Sequence, residues 1–238
     1  MTRPDKINYV QSVIAKEWLC SEDFFNKKEN IFLEADKTFF EIITFGHNAV
    51  IRADKKIIDW CTNLFTNMPA SEIMDGENLY LIEQKMREHN KKLGGQYISY
   101  LHLCPEVKVQ KPDGFTFQLY EKENMSPLYN DYRFENALNH DAKGEVLAIV
   151  ARQSSETASM VGVDDYNYGL WQIGIDTVDC YRGKGLAAYL VKEIAIESEK
   201  RNQIPYYATW GANVASMRTV IKAGFLPVWT SYFAEDLG

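Results

Sequence analysis

The pattern of apolar residues predicts an α/β (α+β) chain. Residues 111–238 should form a mixed central sheet with helices on both faces, preceded by a smaller α+β region over residues 1–110. Three observations predict this. After residue 115, alternating runs of strand length are interleaved with helix-length runs of 3.6 periodicity, the order that builds a sheet covered on both faces. Before residue 105, helical and alternating runs are mixed and carry no recognisable motif. Between them, "PEVKVQKPDG", Pro105 to Gly114, is polar, opens on proline and closes on Pro112-Asp113-Gly114, which marks a turn or boundary.

Taken in order, "INYVQSVIAKEWLC" predicts a helix, "NIFLEAD" and "FFEIITFGHNAVIRA" a strand pair, and "KKIIDWCTNLFTN" a helix. "ENLYLIEQKMREHNKKLG" predicts another helix, closed by Gly94, and "QYISYLHLC" a strand stopped by Pro105. In the second region "FTFQLYE" alternates as a strand and "MSPLYNDYRFENALNH" reads as a short helical stretch. "GEVLAIVARQ", "TASMVGVDDYN" and "LWQIGIDTV" are three further strands. "GKGLAAYLVKEIAIESEKRN" is a long helix, "PYYATW" a strand, "NVASMRTVIKAG" a helix and "LPVWTSYFA" a final strand. In the long helix Leu186, Leu190 and Ile194 form one stripe beside Ala187, Val191 and Ala195, so Lys192, Glu193, Glu197 and Lys200 are expected to face water.

Composition narrows the function. The 238 residues are 46% apolar, enough for a sizeable core. A net charge of -7 repels phosphodiester backbones and anionic lipid, so neither nucleic acid nor membrane is an expected partner. The start "MTRPDKINYV" has no apolar core of signal-peptide length, and no later run approaches the roughly 18 apolar residues that span a bilayer. A cytoplasmic location is therefore expected. Cys20, Cys61, Cys104 and Cys180 form no CxxC, and the four histidines show no HxxxH or HExxH spacing, so no metal is expected. "HLC" at His102 to Cys104 reads as a packed strand end.

The chemistry concentrates in "IDTVDCYRGKGLAAYLV", Ile175 to Val191. No Ser, Thr, Asp or Asn caps the helix that starts there, so its first amides are left without side-chain acceptors. Such a start binds phosphate well when the backbone is bare, and Gly183 and Gly185 make it bare while Arg182 and Lys184 add charge. A tight glycine turn with solvated cations is the plainer account. The segment is neither Walker A nor GxGxxG. It fits Arg-x-x-Gly-x-Ala, with Arg182, Gly185 and Ala187 at the fixed positions, after an apolar strand and at the head of a helix.

This resembles the pyrophosphate-binding signature of the GCN5-related N-acetyltransferase (GNAT) superfamily. "NVASMRTVIKAGF", Asn213 to Phe225, is similar to that superfamily's later segment beside the pantetheine arm; Asn213 and Ser216 also suit an ordinary N-cap and third helical residue. The resemblance spans about residues 115–235. The runs Trp171 to Asp176, "IPYYATW" and "GFLPVW" resemble a bacterial branch with an extra N-terminal region. That region would be either a degenerate acetyltransferase-like lobe or an acceptor-binding cap.

The resemblance implies a GNAT-like acyl-CoA-binding catalytic domain over 111–238, with acetyl-CoA as cosubstrate and an amine of a small molecule or peptide as acceptor. A catalytically inactive CoA-binding sensor or scaffold is the alternative. A homodimer is left open. The thioester carbonyl would lie at the N–H of Thr177 or Val178, and the pyrophosphate on the amides of Arg182, Gly183, Lys184, Gly185, Leu186 and Ala187. Asp176, an acid in an apolar strand, is the leading candidate for the base, with a structural carboxylate as its rival reading; Asp164 and Asp165 are further candidates, or simply turn residues. Many members carry a tyrosine four residues before the glycine of the final Gly-Phe, but Val220 stands there in this chain. Tyr189, Tyr206, Tyr207 and Tyr232 are substitutes by residue type.

Overall fold

A computed structural model describes residues 1–142 and 144–237. Contacts divide the chain into two compact units. Unit 1 comprises Met1–Lys6, Tyr100–Thr209 and Asn213–Pro227; unit 2 comprises Ile7–Ser99, Trp210–Ala212 and Val228–Gly238.

In unit 2, most of helix α1 (Arg3–Trp18) is followed by strands β1 (Ile31–Glu34), β2 (Phe40–Thr44) and β3 (Ala49–Ala53). The run "FFEIITFGHNAVIRA" is therefore a hairpin of two strands rather than one. Its turn is held by Thr44, whose Oγ accepts from Gly46 N at 3.0 Å and donates to Asn48 O at 2.7 Å. Helices α2 (Ile58–Phe65), α3 (Ala70–Ile73) and α4 (Gly76–Arg87) pack their apolar sides on this sheet, burying Phe65, Ile73 and Met86 with Phe40, Ile42 and Ile51. α4 stops earlier than its periodicity suggests. Asn90 turns the chain with a φ of 58°, and Lys91–Leu93 becomes strand β4, antiparallel to the end of the last strand, β11 (Phe225–Asp236). β11 also pairs antiparallel with β2, and β1 is parallel to β3.

Unit 1 carries the end of β5 (Tyr97–His102), then β6 (Thr116–Glu121), β7 (Glu145–Gln153), β8 (Glu156–Asn167), β9 (Leu170–Thr177), helix α5 (Leu186–Lys200), β10 (Ile204–Trp210) and helix α6 (Val214–Lys222). The sheet order in this unit is β5-β10-β9-β8-β7-β6. β6 to β9 are antiparallel neighbours, whereas β10 is parallel to β9, so the sheet is mixed as expected. α5 packs on β7, β8 and β9.

The other face is covered by 3-10 turns at Ser126–Asn130 and Tyr132–Phe134, where Pro127 and the Asn and Asp residues prevent one continuous helix. Met125, Leu128, Phe134, Ala137 and Leu138 pack there on Ala148, Val150 and Met160. One alternative is decided and one expectation corrected in this unit. Asp164 and Asp165 lie within β8, where the run "TASMVGVDDYN" puts them, so the turn alternative does not hold and the turn falls later, at Tyr168–Gly169. Lys192 does not face water: it is only 6% exposed.

Candidate functional site

β9 and β10 begin together and then part. Their parallel register runs from Ile204 opposite Leu170 to Tyr206 opposite Gln172, and includes no residue of β9 beyond that point. The second half of β9 thus has an open side. Val178 N–H is donated to Ala158 O at 3.0 Å, toward β8. Because amides alternate along a strand, Asp176 and Gly174 point the same way, and the N–H groups of Thr177 and Ile175 point into the gap. Of the two sequence candidates for a carbonyl-binding amide, Thr177 is the one facing open space. Its side-chain oxygen is shared with Ser159 Oγ at 2.7 Å.

The gap leads to the head of α5. Gly185 caps the helix with φ 82° and ψ 0°, and among the described residues no side-chain hydrogen bond caps it. The first intrahelical bond is Tyr189 N to Gly185 O, so the amides of Leu186, Ala187 and Ala188 have no acceptor within the helix. Gly183 also has a positive φ, 77°, and a Cβ at either glycine would meet nothing within 4 Å. This left-handed geometry explains both glycines, and the empty space around them leaves the backbone accessible. Arg182 differs from its neighbours: its amide is donated to Asp179 O, and its guanidinium pairs with Asp179 at 3.0 Å.

A cleft of about 640 Å³ lies against this turn, with Gly183, Lys184 and Gly185 on one side and residues 108–113 and Phe115 on another. Lys108, Lys111, Lys184 and Lys222 line it against one acid, Asp113. Lys184 Nζ sits 4.9 Å from the Tyr181 ring centre, and Lys111 Nζ sits 5.3 Å from that of Phe117, so each cation has an aromatic face beside it. Sequence reading missed Lys108 and Lys111, whose signal was only "KVQK" inside a segment that read as a boundary, and Lys222, which stood as one cation at the end of a helical run. The structure does not bring Asn213 or Ser216 to this cleft. Asn213 Oδ1 accepts from Ser216 N at 3.1 Å and caps α6, and Ser216 Oγ is bonded to Tyr207 OH at 2.6 Å.

The sheet face opposite α5 carries the acids. Asp176 Oδ2 accepts from the backbone N–H of Asn136 at 2.8 Å and of Ala137 at 3.0 Å, while Oδ1 accepts from Asn136 Nδ2 at 2.7 Å. Both its oxygens are engaged. On the same face Glu145, Asp164, Gln172 and Tyr206 stand in register across four strands. Glu145 is buried and accepts from Tyr129 OH at 2.5 Å and from the Asn139 amide, and Gln172 Oε1 accepts from Tyr206 OH at 2.6 Å. Asp164 Oδ1 is buried without a hydrogen-bond partner among the described residues. Burial, followed by the charge of Glu145, pushes the Asp164 carboxyl up to about 6. Asp165 is exposed on the adjacent position.

The four tyrosines separate. Tyr189 packs on Phe117 with ring centres 4.7 Å apart, Tyr232 lies in the core of unit 2, and Tyr206 is bonded to Gln172. Tyr207 follows directly after the last paired residue of β10, and burial holds its phenol above the usual value. Val220 is fully buried in α6. The four cysteines are unpaired, and burial raises the Cys61 thiol to about 12. Among the described residues, no three His, Cys, Asp or Glu side chains are grouped as metal ligands, and no helix is long and apolar enough to cross a membrane.

No family model and no curated protein sequence matches the chain. Solved structures do. An acetyltransferase from the GNAT family of Colwellia psychrerythraea is 13% identical with a TM-score of 0.46, over 65% of this chain and 61% of its own. A GCN5-related N-acetyltransferase-like protein from Streptococcus suis is 14% identical with a TM-score of 0.47, over 68% and 69%. An X-ray structure of a Drosophila protein is 12% identical with a TM-score of 0.50, over 68% and 58%. The chain thus spans about three fifths of the length of two of these three structures, and the likeness is one of fold.

Proposed function

We propose that unit 1 is the catalytic unit of an acyl-CoA-dependent N-acyltransferase of the GNAT type, which transfers an acetyl group to the amine of a small molecule or peptide. The observation that carries this reading is the uncapped start of α5, with two left-handed glycines, at the meeting point of a lysine-lined cleft and the gap between β9 and β10. Amides of Leu186, Ala187 and Ala188 suit a pyrophosphate, and the lysines suit a further phosphate of the same molecule. Thr177 N–H would donate to the oxygen on which charge develops when a thioester carbonyl lies in the gap.

In this reading the acceptor nitrogen bonds to the acyl carbon and the carbon–sulfur bond breaks. The proton lost by the amine goes to a carboxylate, and the thiolate takes one from a donor, leaving an amide and coenzyme A thiol. We assign proton uptake to Asp164, whose raised pKa and unpartnered oxygen suit it and which stands opposite Gln172 at the paired end of the gap, so that water carries the proton to it from the amine; Asp176, saturated by three donors, anchors residues 136–137 instead. Tyr207, held protonated by burial beside the gap, is assigned as the donor to sulfur in place of the absent acid at Val220.

Thermal unfolding with and without saturating acetyl-CoA tests the binding step, with NADH and ATP as controls. At about 100 times the dissociation constant, binding should add roughly 2.7 kcal/mol, on the order of 5 to 10 °C for a chain of this length. Equal shifts with all three ligands, or no shift, would remove the cofactor assignment. The buried valine at the acid position favours one other reading, a coenzyme A-binding sensor without activity. A thiol-release assay across an amine panel separates the two, because only an enzyme liberates thiol in an amine-dependent way.

The base assignment predicts a pH profile. Asp164 must be ionised to accept a proton, so turnover should rise with pH through about 6 and then level off. Asp164→Asn should lower kcat by about 100-fold or more and abolish that limb. Stability runs the other way: the folded carboxyl, at about 6, holds its proton more tightly than an ordinary aspartate at 3.8, so stability is lost as pH rises between them, and the Asn variant should lack this loss. An unchanged acidic limb in Asp164→Asn would exclude it as the base.

A further inference from the structure

Lys192 is an amine inside the protein, and removing such a group from water is costly unless it is bonded. Its Nζ donates to Pro105 O at 2.8 Å and lies 3.0 Å from His102 Nε2. The His102 ring, fully buried, places Nδ1 2.9 Å from Glu199 Oε1, and that oxygen also accepts from Lys6 Nζ at 2.5 Å. Two more cations complete the arrangement: Lys6 Nζ donates to His102 O at 2.7 Å, and Arg3 Nε donates to Leu103 O at 2.6 Å. Three cations thus hold three carbonyls among residues 102–105. An aliphatic side chain at 192 would fill the space at a lower desolvation cost but would leave Pro105 O and His102 Nε2 without this partner.

What Lys192 grips is the root of one wall of the cleft. From Pro105 the chain continues without helix or strand to Gly114, and this stretch carries Lys108, Lys111 and Asp113 into the cleft. α5 forms the opposing wall through its bare start at Gly185 and through Ala188, and Lys192 lies one turn beyond Ala188 on the same rigid helix. One helix therefore supplies the phosphate-binding amides and the amine that fixes the facing lysines.

We propose that Lys192 is a positioning residue for acyl-CoA binding: through Pro105 O it sets the separation of the two cleft walls, and with it the place of Lys108 and Lys111. The proposal rests on the cofactor reading given above. His102 and Glu199 orient the amine in this arrangement, the ring nitrogen facing Lys192 acting as acceptor and the other as donor to the carboxylate.

The test is Lys192→Met against wild type, with Lys192→Arg as the variant that keeps a cationic donor. Three quantities are read: KM for acetyl-CoA, kcat at saturation, and amide hydrogen exchange over residues 105–114. Lys192→Met should raise KM about tenfold or more with kcat within twofold, and should speed exchange across that stretch; Lys192→Arg should recover part of both. A purely structural role would lower kcat in proportion to the folded protein lost, would leave KM unchanged, and would not single out residues 105–114. Wild-type KM and exchange in a folded Lys192→Met overturn the proposal. Should the Met variant not fold, Lys192→Gln, which lacks the ammonium, takes its place, and wild-type KM and exchange in that variant, or a loss confined to kcat, contradict positioning. Failure of wild type to bind acetyl-CoA overturns the cofactor reading and the purpose assigned to Lys192 with it; binding by wild type with no change in the variants overturns the positioning role alone.

Discussion

Gly174→Ala should destabilise unit 1 by about 3 kcal/mol or more, a fall of roughly 6 °C or more in its unfolding midpoint. A Cβ at Gly174 would lie 1.7 Å from Asn136 O and 2.8 Å from its carbonyl carbon. The obstacle is backbone, which cannot swing aside as a side-chain tip can. Gly162, directly opposite Gly174 on β8, has the same relation to Ala137 O at 2.0 Å. The paired glycines form a bare patch on which residues 136–137 lie flat, and Asp176 pins that stretch through two amides and a side-chain amide.

Asp176→Asn turns one acceptor into a donor facing donors and should also lower stability, before any effect on chemistry is considered. Gly144→Ala is the control, because a Cβ there would meet nothing within 4 Å. Thermal unfolding monitored by circular dichroism reads all three. A Gly174→Ala protein as stable as wild type would mean that residues 136–137 do not rest on the sheet.

Gly185→Glu should reduce acetyl-CoA affinity by more than 100-fold while leaving the protein folded. The glutamate brings a carboxylate and bulk to the amides that are meant to meet a pyrophosphate. The protein tolerates it because the site is open and exposed. The left-handed φ of 82° costs a non-glycine residue about 1 kcal/mol, which a negative charge at a helix start partly offsets. Gly185→Asn separates the causes, since asparagine tolerates the left-handed region and carries no charge. Titration calorimetry should show the Asn variant weakened far less than the Glu variant. Equal binding by wild type and Gly185→Glu would place the cofactor elsewhere.

The helix start at Gly183 to Ala187 was legible from sequence because everything that makes it is local. Two glycines, the lack of a capping side chain and an apolar stripe beginning at Leu186 are properties of consecutive residues, and the backbone follows them. The strands of unit 1 were legible for the same reason, as was the cap that Asn213 places on Ser216. Short-range patterns failed where a second segment decided the outcome. Lys91–Leu93 continues the helical pattern of α4 but becomes a strand because β11 offers it partners, with the Glu83 carboxylate taking the Leu93 amide at 2.5 Å.

The class of fold, the mixed sheet and the bare helix start are all consequences of periodicity and backbone freedom within a few residues, and are readable along the chain. Which groups those elements meet depends on the packing of distant segments. Lys192 has the helical position of a solvated residue, yet Pro105 O and His102, nearly 90 residues away in the chain, enclose it. Asp176 reads as a free acid in an apolar strand, and the amides of Asn136 and Ala137 occupy it. Asp164 reads as a candidate acid or a turn residue, and burial together with the charge of Glu145, opposite it on β7, raises its pKa. Lys108 and Lys111 read as part of a linker, and a fold that returns that linker to the head of α5 makes them part of a cleft. Hydrogen-bond partners, burial and charge environment are set by which distant segments are packed together, and local periodicity carries no record of that.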